Sequence, residues 1–214
     1  PTKKTYQVFY KFFLYTIISA LLIPIFMLYF RRIIADDFGA NFLSIWFSNS
    51  RLSDAYMQFF SILLISLYFP LFVNLKLDKV LNQVKNIFFI FSLLFLLLFL
   101  IFILFKHQFI LLIFGIEFID AEKYVLYFLL ADYFKILSFV PTVFFLAKRK
   151  FKYVIYFELY QFLLLFLITI IFSKSNFINF YYIYILSYFL YFISTSSFLF
   201  FVMIKNKTNY NAII

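Results

Sequence analysis

An acid and a base lie deep inside the apolar stretch Leu126–Lys150. Asp132 and Lys135 are three residues apart, so on a helix they share a face and can reach each other. If the helix enters a bilayer near Tyr124, the two residues lie roughly 12 and 17 Å into it at 1.5 Å per residue. That depth is close to the middle of a hydrocarbon core about 30 Å thick, where a charge costs about 2.5–3.5 kcal/mol. The pair therefore predicts a membrane-spanning helix beside a partner or a water-filled cavity.

Two interpretations of this pair are open. In one, Asp132 and Lys135 neutralise each other and pack against a neighbouring helix. In the other, they belong to a polar stripe that lines an aqueous path, because Ser138 and Thr142 continue the same face of the helix. The second interpretation is favoured, since the stripe extends beyond the pair.

Another polar stripe leads into the apolar segment that ends near Pro70. Its members recur at steps of three or four residues, which predicts one face of a helix that starts outside the membrane or at its outer surface. They are Ser44, Ser48, Arg51, Asp54, Gln58 and Ser61.

Three arginines are candidates for binding phosphate, because a planar guanidinium contacts two oxygens at once. Arg31 and Arg32 end the first apolar segment, and Arg51 lies on the stripe that enters the second. Together they could hold a pyrophosphate near one mouth of a cavity. The alternative is that Arg31 and Arg32 are interfacial anchors. Their ion-pair partners are then Asp36, Asp37 or Asp54.

Several other residues give weaker signals. Trp46 could belong to an aromatic belt at the membrane interface, or it could stack on a sugar. Asp36 and Asp37 are adjacent acids in the first outer loop, where they are either catalytic or simply solvated. His107 is a lone loop histidine, and no function is predicted for it.

The composition excludes several classes of protein. Hydrophobic residues make up 66% of the 214 residues, which excludes a soluble globular domain. There is no Cys, one His and two Gly, so a disulfide framework, a P-loop, a Rossmann fingerprint and a multi-His metal site are all excluded. The net charge of +10 lies mainly in the short gaps between apolar runs, which is typical of membrane topology rather than of nucleic-acid binding.

Six apolar segments follow one another along the chain. In a bilayer only helices and closed barrels satisfy every backbone polar group, and the alternation of barrel strands is absent. We therefore predict an all-α membrane protein with about six transmembrane helices in a single bundle. The segments are Val8–Phe30, Leu52–Val73, Ile87–Phe105, Tyr124–Ala147, Tyr153–Phe172 and Phe177–Ile204.

The gaps between the segments predict an orientation. With a cytoplasmic N-terminus, twelve Lys and Arg residues fall on the inner side and six on the outer side, so both termini of the chain are expected in the cytoplasm. We expect the first, second and fourth helices to line a cavity, and the nearly uniformly apolar third helix to face lipid. Because the chain begins with Pro1 rather than Met, we also expect a fragment that lacks the N-terminal bundle of a longer protein.

Two blocks of the chain resemble the O-antigen and enterobacterial common antigen flippases. Phe38–Pro70 has that family's glycine, Trp-containing helix start, basic residue, serine, acid and Tyr-rich end closed by Pro, and Phe105–Phe162 resembles the block that follows. The two blocks cover somewhat under half of the chain. The chain departs from the family at Ala131, where Gly is usual, and at Lys106, where Arg is usual. The landmarks of the later block are Lys106, Phe114, Glu117, Phe118, Ala121, Asp132, Lys135, Ala147, Lys148, Glu158 and Gln161.

The resemblance implies a member of the polysaccharide-flippase branch of the multidrug/oligosaccharidyl-lipid/polysaccharide exporter superfamily. Those proteins have about a dozen helices in two bundles around a central cavity, and this chain resembles the C-terminal bundle. The implied function is translocation of an undecaprenyl-pyrophosphate-linked oligosaccharide across the bacterial inner membrane, without an enzymatic activity, a cofactor or a metal. The implied partners are that lipid-linked oligosaccharide, membrane lipids, an O-antigen polymerase and a chain-length regulator.

The same resemblance suggests roles for the candidate residues. Arg51 and Lys135 would contact the pyrophosphate, while Asp54 and Asp132 would hold these cations in place and could accept a proton or Na⁺. Further candidates for substrate contact are Arg31, Arg32 and Trp46. Further candidates for charge pairing or ion coupling are Gln58 and Glu158.

Two other functional classes stay open. A membrane glycosyltransferase or O-antigen polymerase could use Asp36 and Asp37, although such enzymes normally have a large periplasmic loop. A cation-coupled multidrug exporter of the same superfamily would have an acid in an otherwise apolar cavity, with less emphasis on Arg. The remaining alternative is a membrane scaffold without transport activity.

Overall fold

A computed structural model describes residues 3–75, 77–172 and 176–211, although many side chains before residue 24 and those of residues 77–78, 172 and 206–211 are outside the description. The described elements are all helical. In chain order they are α1 Lys3–Phe38, α2 Ala40–Leu63, a π-helical segment Leu64–Tyr68, α3 Phe69–Asn74, α4 Leu77–Phe114, a 3₁₀ helix Ile116–Lys123, α5 Val125–Ala147, α6 Phe151–Phe172 and α7 Ile178–Asn211.

Five stretches of the described chain are long and apolar enough to cross a membrane. They match the second to sixth predicted segments, so the chain is an all-α, multi-pass membrane protein. The first predicted segment, Val8–Phe30, falls in α1, where most side chains are outside the described residues, and it stays a prediction. The five stretches are Ala40–Asn74, Lys79–Phe114, Val125–Ala147, Phe151–Ile171 and Ile178–Lys205.

Four helical stretches, namely α1, the rod from α2 to α3, α4 and α7, are longer than hydropathy predicts. The rod formed by α2, the π-helical segment and α3 begins at Ala40 rather than at Leu52, and α4 has 38 residues, or about 57 Å. Hydropathy marks only the part of a helix that is apolar, whereas the backbone continues to the next residue that breaks it. For this reason Asp36 and Asp37 lie in the last turn of α1 and His107 lies within α4, so the prediction that these residues occupy loops is wrong.

Glycine provides two of the helix breaks. Gly39 separates α1 from α2 with φ 87° and ψ 176°, and Gly115 ends α4 with φ 90° and ψ 175°. This region of backbone conformation is essentially restricted to glycine. Apart from the adjacent residues of the chain, no atom lies within 4 Å of the position that a Cβ would occupy at either glycine. The backbone conformation, rather than close packing, therefore requires these residues.

A proline accounts for the wide turn in the second rod. Pro70 has no N–H to donate to the carbonyl of Ser66, and its ring would clash with that carbonyl in an ideal α-helix. The π-helical turn Leu64–Tyr68 lies directly before it. The wider turn lets the rod continue through Pro70 to Asn74.

The central helix of the bundle is α5. It packs most extensively along α7 and also contacts α2, α4 and α6. In the most apolar 18-residue stretch of α5, 67% of the residues are buried, compared with 22% in that of α4. The exposed side chains of α4 include Phe89, Leu93 and Leu104, as expected for a lipid-facing helix. The chemistry of the bundle interior therefore depends on the residues of α5 and on the residues that pack against it.

The substitution Gly115→Ala tests the helix break. Because the Cβ has space but the backbone conformation is unfavourable, we expect the free energy of unfolding to fall by about 1–3 kcal/mol. The measurement is the apparent melting temperature in detergent. Gln108→Ala, at an exposed position of α4, is the matched control and should change stability by less than about 0.5 kcal/mol. A melting temperature that is equally unchanged in both variants would contradict the requirement for glycine.

Candidate functional site

A carboxylate is buried at the centre of the bundle. Asp132 on α5 is 0% exposed, and its Oδ2 atom accepts hydrogen bonds from the Ser53 hydroxyl and from Tyr56 Oη at 2.6 Å. Ser53 and Tyr56 are one turn apart on α2, so they present two donors on one face of that helix. The contact fixes the register of α2 against α5 at the depth of the carboxylate.

Lys135 connects this carboxylate to α7. Its Nζ atom is 3.9 Å from Asp132 Oδ1, donates to Tyr184 Oη at 3.5 Å and lies 5.4 Å from the centroid of the Tyr188 ring. The side chain is 19% exposed, unlike that of Asp132. The ammonium therefore has an electrostatic partner and an aromatic partner, and the side chain that carries it is partly exposed.

The second oxygen of Asp132 is unsatisfied. Oδ1 is buried and has no hydrogen-bond partner among the described residues. The Lys135 ammonium is beyond hydrogen-bonding distance from it, although the two charges attract each other. A buried polar atom without a partner is uncommon in native proteins. Asp132 and Lys135 thus form an ion pair, but no hydrogen bond joins them.

The remainder of the stripe on α5 turns inward in this structure. Ser138 Oγ donates to the carbonyl of Lys135 at 2.6 Å, and Thr142 Oγ1 donates to the carbonyl of Ser138 at 3.3 Å. Both side chains are buried. They satisfy their own helix rather than line an open path, so Lys135 is the accessible member of this stripe.

Sequence reasoning missed the face of α2 that contacts α5. Asn49, Ser53 and Tyr56 form a polar row at steps of four and three residues, beside the stripe that was recognised. Asn49 Nδ2 donates to the carbonyl of Ala121 at 3.1 Å, which attaches the 3₁₀ helix to α2. This spacing was a usable signal, but it does not indicate which of two adjacent polar rows faces inward.

The recognised stripe on α2 has its central residues at the surface. Arg51, Asp54 and Gln58 are exposed, whereas Ser48 is buried. Asp54 is close enough to act electrostatically on both Asp132 and Lys135. A row of exposed polar and charged side chains therefore runs along a membrane-spanning rod, next to the buried pair.

Two of the three candidate arginines meet at one aromatic ring. The Cζ atoms of Arg31 and Arg51 lie 5.2 and 4.8 Å from the centroid of the Phe47 ring. Arg31 Nε is buried without a hydrogen-bond partner among the described residues. Arg32 instead forms an exposed i,i+4 ion pair with Asp36 at 3.5 Å, as its alternative interpretation predicted. The structure thus brings together Arg31 and Arg51 and leaves Arg32 outside their cluster.

Trp46 is a core residue in this arrangement. The ring is 0% exposed and packs against the rings of Phe30, Phe128, Tyr181 and Tyr184, with centroid distances of 4.9, 4.7, 5.0 and 5.7 Å. The two expectations for it, an interfacial belt or a sugar-stacking surface, both require an accessible face. Its four aromatic neighbours leave none, because rings from α1, α5 and α7 surround it.

The remaining candidates are dispersed. Glu158 lies half-buried on α6, close enough to Tyr188 for an electrostatic interaction. His107 is not alone, since its Nδ1 atom lies 3.0 Å from Glu122 Oε2. Beside it, Asp120 accepts a hydrogen bond from the Lys123 ammonium at 2.7 Å, and this contact raises the pKa of Lys123. In the part of the chain that the structure describes, no group of three His, Asp or Glu residues could hold a metal ion.

Comparison of the chain with protein-family models, with curated proteins and with solved structures finds no match. The resemblance to polysaccharide flippases therefore stays a prediction that depends on the residues quoted for it.

The substitution Asp132→Ala tests the buried pair. It leaves the Lys135 ammonium without its counter-charge, and we expect a loss of about 3–5 kcal/mol in the free energy of unfolding. Asp132→Ala should cost less in a Lys135→Met background, because the unpaired charge is then absent. Thermal unfolding in detergent gives both values. Asp54→Ala, at an exposed acid of the neighbouring stripe, is the control. An equal effect of Asp132→Ala and Asp54→Ala would show that the pair is not a structural centre.

The fluorescence of Trp46 provides a second test, because this is the chain's single tryptophan. For a fully buried indole we expect a blue-shifted emission maximum and strong protection from iodide quenching, both of which are lost on unfolding. The measurement is a Stern–Volmer titration of the folded chain in detergent, with the denatured chain as the control. Quenching as efficient in the folded as in the denatured chain would place the ring at the surface.

Proposed function

We propose that this chain forms one bundle of a flippase that moves an undecaprenyl-pyrophosphate-linked oligosaccharide across the bacterial inner membrane, with both of its ends on the cytoplasmic side. The lipid tail of such a substrate can stay in the bilayer, and only the pyrophosphate and the sugars need a polar path. The function requires cationic groups along a surface that lipid does not cover.

The observation that carries the proposal is the exposed stripe on α2. The contact of Ser53 and Tyr56 with Asp132 places this part of α2 level with Asp132, seven residues or about 10 Å inside α5. Arg51 and Asp54 are therefore exposed at a depth where charged groups are strongly unfavourable against lipid. A water-filled cavity on this side of the bundle removes that penalty. A transport protein needs such a water-filled cavity within the membrane, whereas a scaffold does not.

The cations have graded accessibility, which suggests an order of contacts. Arg31 and Arg51 flank the Phe47 ring toward the end of the bundle where α2 begins, and Lys135 lies about one turn deeper with a partly exposed side chain. A pyrophosphate moving from the cytoplasmic to the periplasmic side would meet the ammonium first and then the guanidinium pair. Asp132 would not contact the substrate, since it is fully buried. Its role would be to position Lys135.

The exposed acid Asp54 is the better placed of the two acids to exchange a proton or a cation with the cavity. Because it acts electrostatically on Lys135, a change in its charge would alter how strongly Lys135 attracts an anion. Rocking of this bundle against a second one would then give alternating access, as in other transporters built from repeats.

Complementation tests the proposal. The chain is expressed in its full-length context in a bacterium without its own O-antigen flippase, and surface lipopolysaccharide is read from a gel. We expect the ladder to be restored by the native sequence and strongly reduced by Arg51→Gln or Lys135→Gln. Each substitution removes charge-assisted hydrogen bonds to phosphate worth about 1.5–3 kcal/mol.

Arg32→Gln is the matched control, because Arg32 is a neighbouring exposed arginine that pairs with Asp36 instead of joining the Phe47 cluster. It should leave the ladder unchanged. Immunoblots of the membrane fraction confirm equal amounts of each variant. Ladders of normal intensity from both Arg51→Gln and Lys135→Gln would refute the assignment of these cations to the substrate.

A further inference from the structure

The turn between α5 and α6 is closed by an arginine in the left-handed region. Arg149 has φ 56°, and it is the one residue other than glycine with a positive φ in the described chain. The N–H of Lys150 donates to the carbonyl of Phe145 at 2.8 Å, and the N–H of Arg149 donates to the carbonyl of Leu146 at 2.9 Å. These two bonds form a Schellman motif that ends α5.

The position that Arg149 occupies in this motif is normally glycine. A left-handed backbone brings the Cβ of any other residue close to the following carbonyl, and only Asn and Asp tolerate it comparatively well. The backbone of the turn would therefore favour glycine at position 149. An arginine here is unfavourable for the backbone of the turn. Its side chain is therefore expected to act outside the turn.

That side chain lines a pocket. A cavity of about 550 Å³ lies at the start of α6, open to the outside, and three cations and three aromatic rings surround it. Lys152 Nζ is 5.5 Å from the centroid of the Tyr156 ring. The lining residues are Arg149, Lys150, Phe151, Lys152, Tyr153, Ile155 and Tyr156.

The preceding lysine has a different role, which separates the pocket from the general basic character of the turn. Lys148 Nζ donates to the carbonyl of Leu75 at 2.8 Å and to that of Val73 at 3.3 Å, so it caps the end of α3. Its charge is thus directed to the helix end. Arg149, Lys150 and Lys152 are all exposed and converge on the cavity instead.

We propose that this pocket binds the phosphodiester headgroup of an anionic phospholipid. The three cations attract the negative charge of a phosphodiester, and the first turns of α6 add the partial positive charge of a helix N-terminus. Phe151 and Ile155, one turn apart on α6, give the lining an apolar part, which suits the glycerol and upper acyl region of a lipid. The membrane-spanning part of α6 begins at Phe151, so the pocket lies at the membrane boundary, where headgroups are present. The inference does not depend on the cargo of the bundle.

Native mass spectrometry of the whole chain in a non-ionic detergent tests the proposal. The probes are palmitoyl-oleoyl-phosphatidylglycerol, its phosphatidylcholine counterpart and inorganic phosphate. We expect the native chain to retain phosphatidylglycerol in preference to phosphatidylcholine. Arg149→Gly should weaken the retention of phosphatidylglycerol about fivefold, the effect of one cation near a headgroup. Its melting temperature should be equal to or higher than that of the native chain, because glycine suits the left-handed backbone.

Two further variants make the test specific. The double substitution Lys150→Gln with Lys152→Gln removes two cations without changing the left-handed residue, and it should weaken retention further. Lys85→Gln removes an exposed lysine of α4 outside the pocket, at the end of the bundle where α5 meets α6, and should have no effect.

Three results would overturn the proposal. In the first, Arg149→Gly retains phosphatidylglycerol as well as the native chain does, or Lys85→Gln weakens its retention as much as Arg149→Gly does. Either outcome would mean that only general charge attraction holds the lipid. In the second, inorganic phosphate alone occupies the site and displaces the lipid, which would assign the pocket to a soluble anion. In the third, Arg149→Gly lowers the melting temperature, which would make the arginine a structural part of the turn.

Discussion

The buried carboxylate of Asp132 is the constraint on which the arrangement of the helices depends. Inside an apolar bundle it must receive hydrogen bonds from protein groups, because water is excluded from its surroundings. Two of these come from Ser53 and Tyr56 on α2, and the opposing charge of Lys135 leads to Tyr184 and Tyr188 on α7. A shift of α2 by one residue would break both hydrogen bonds. The polar contact therefore specifies one alignment of α2, α5 and α7, which interchangeable apolar side chains alone would not specify.

The contacts of α2 explain how one helix serves two environments. Its inner row, from Asn49 to Tyr56, satisfies buried partners on the 3₁₀ helix and on α5, while the adjacent outer row carries the exposed charges of Arg51 and Asp54. Because both rows are attached to one backbone, the position of the outer charges is set by the inner hydrogen bonds. Large rings, Trp46 among them, fill the space between α1, α2, α5 and α7. The backbone that carries the site is therefore held by contacts with several helices.

Much of this arrangement could be predicted from the sequence, and the failures have physical causes. Hydropathy and the spacing of Asp132 and Lys135 predicted the helical membrane class, five of the spans and the contact between the two charges. They could not identify Ser53 and Tyr56 as partners, because periodicity defines a face but not the neighbour of that face. The helix ends were misplaced, since hydropathy does not detect a helix that continues into water. The burial of Trp46 depends on rings from three other helices, α1, α5 and α7, and no local pattern contains that information.

The π-helical turn at Leu64–Tyr68 has a mechanical consequence. A π turn contains one residue more than an α turn, so it acts as an insertion that the helix absorbs without ending. Moving the wide turn along the rod by one residue rotates the residue that it passes by about 100° and leaves the segments on both sides helical. The half of the rod that carries Ser53 and Tyr56 can therefore rotate about the helix axis relative to the half that ends at Asn74. A rotation of the half that ends at Asn74 can thus be absorbed at the π-helical turn before it reaches the contacts of Asp132.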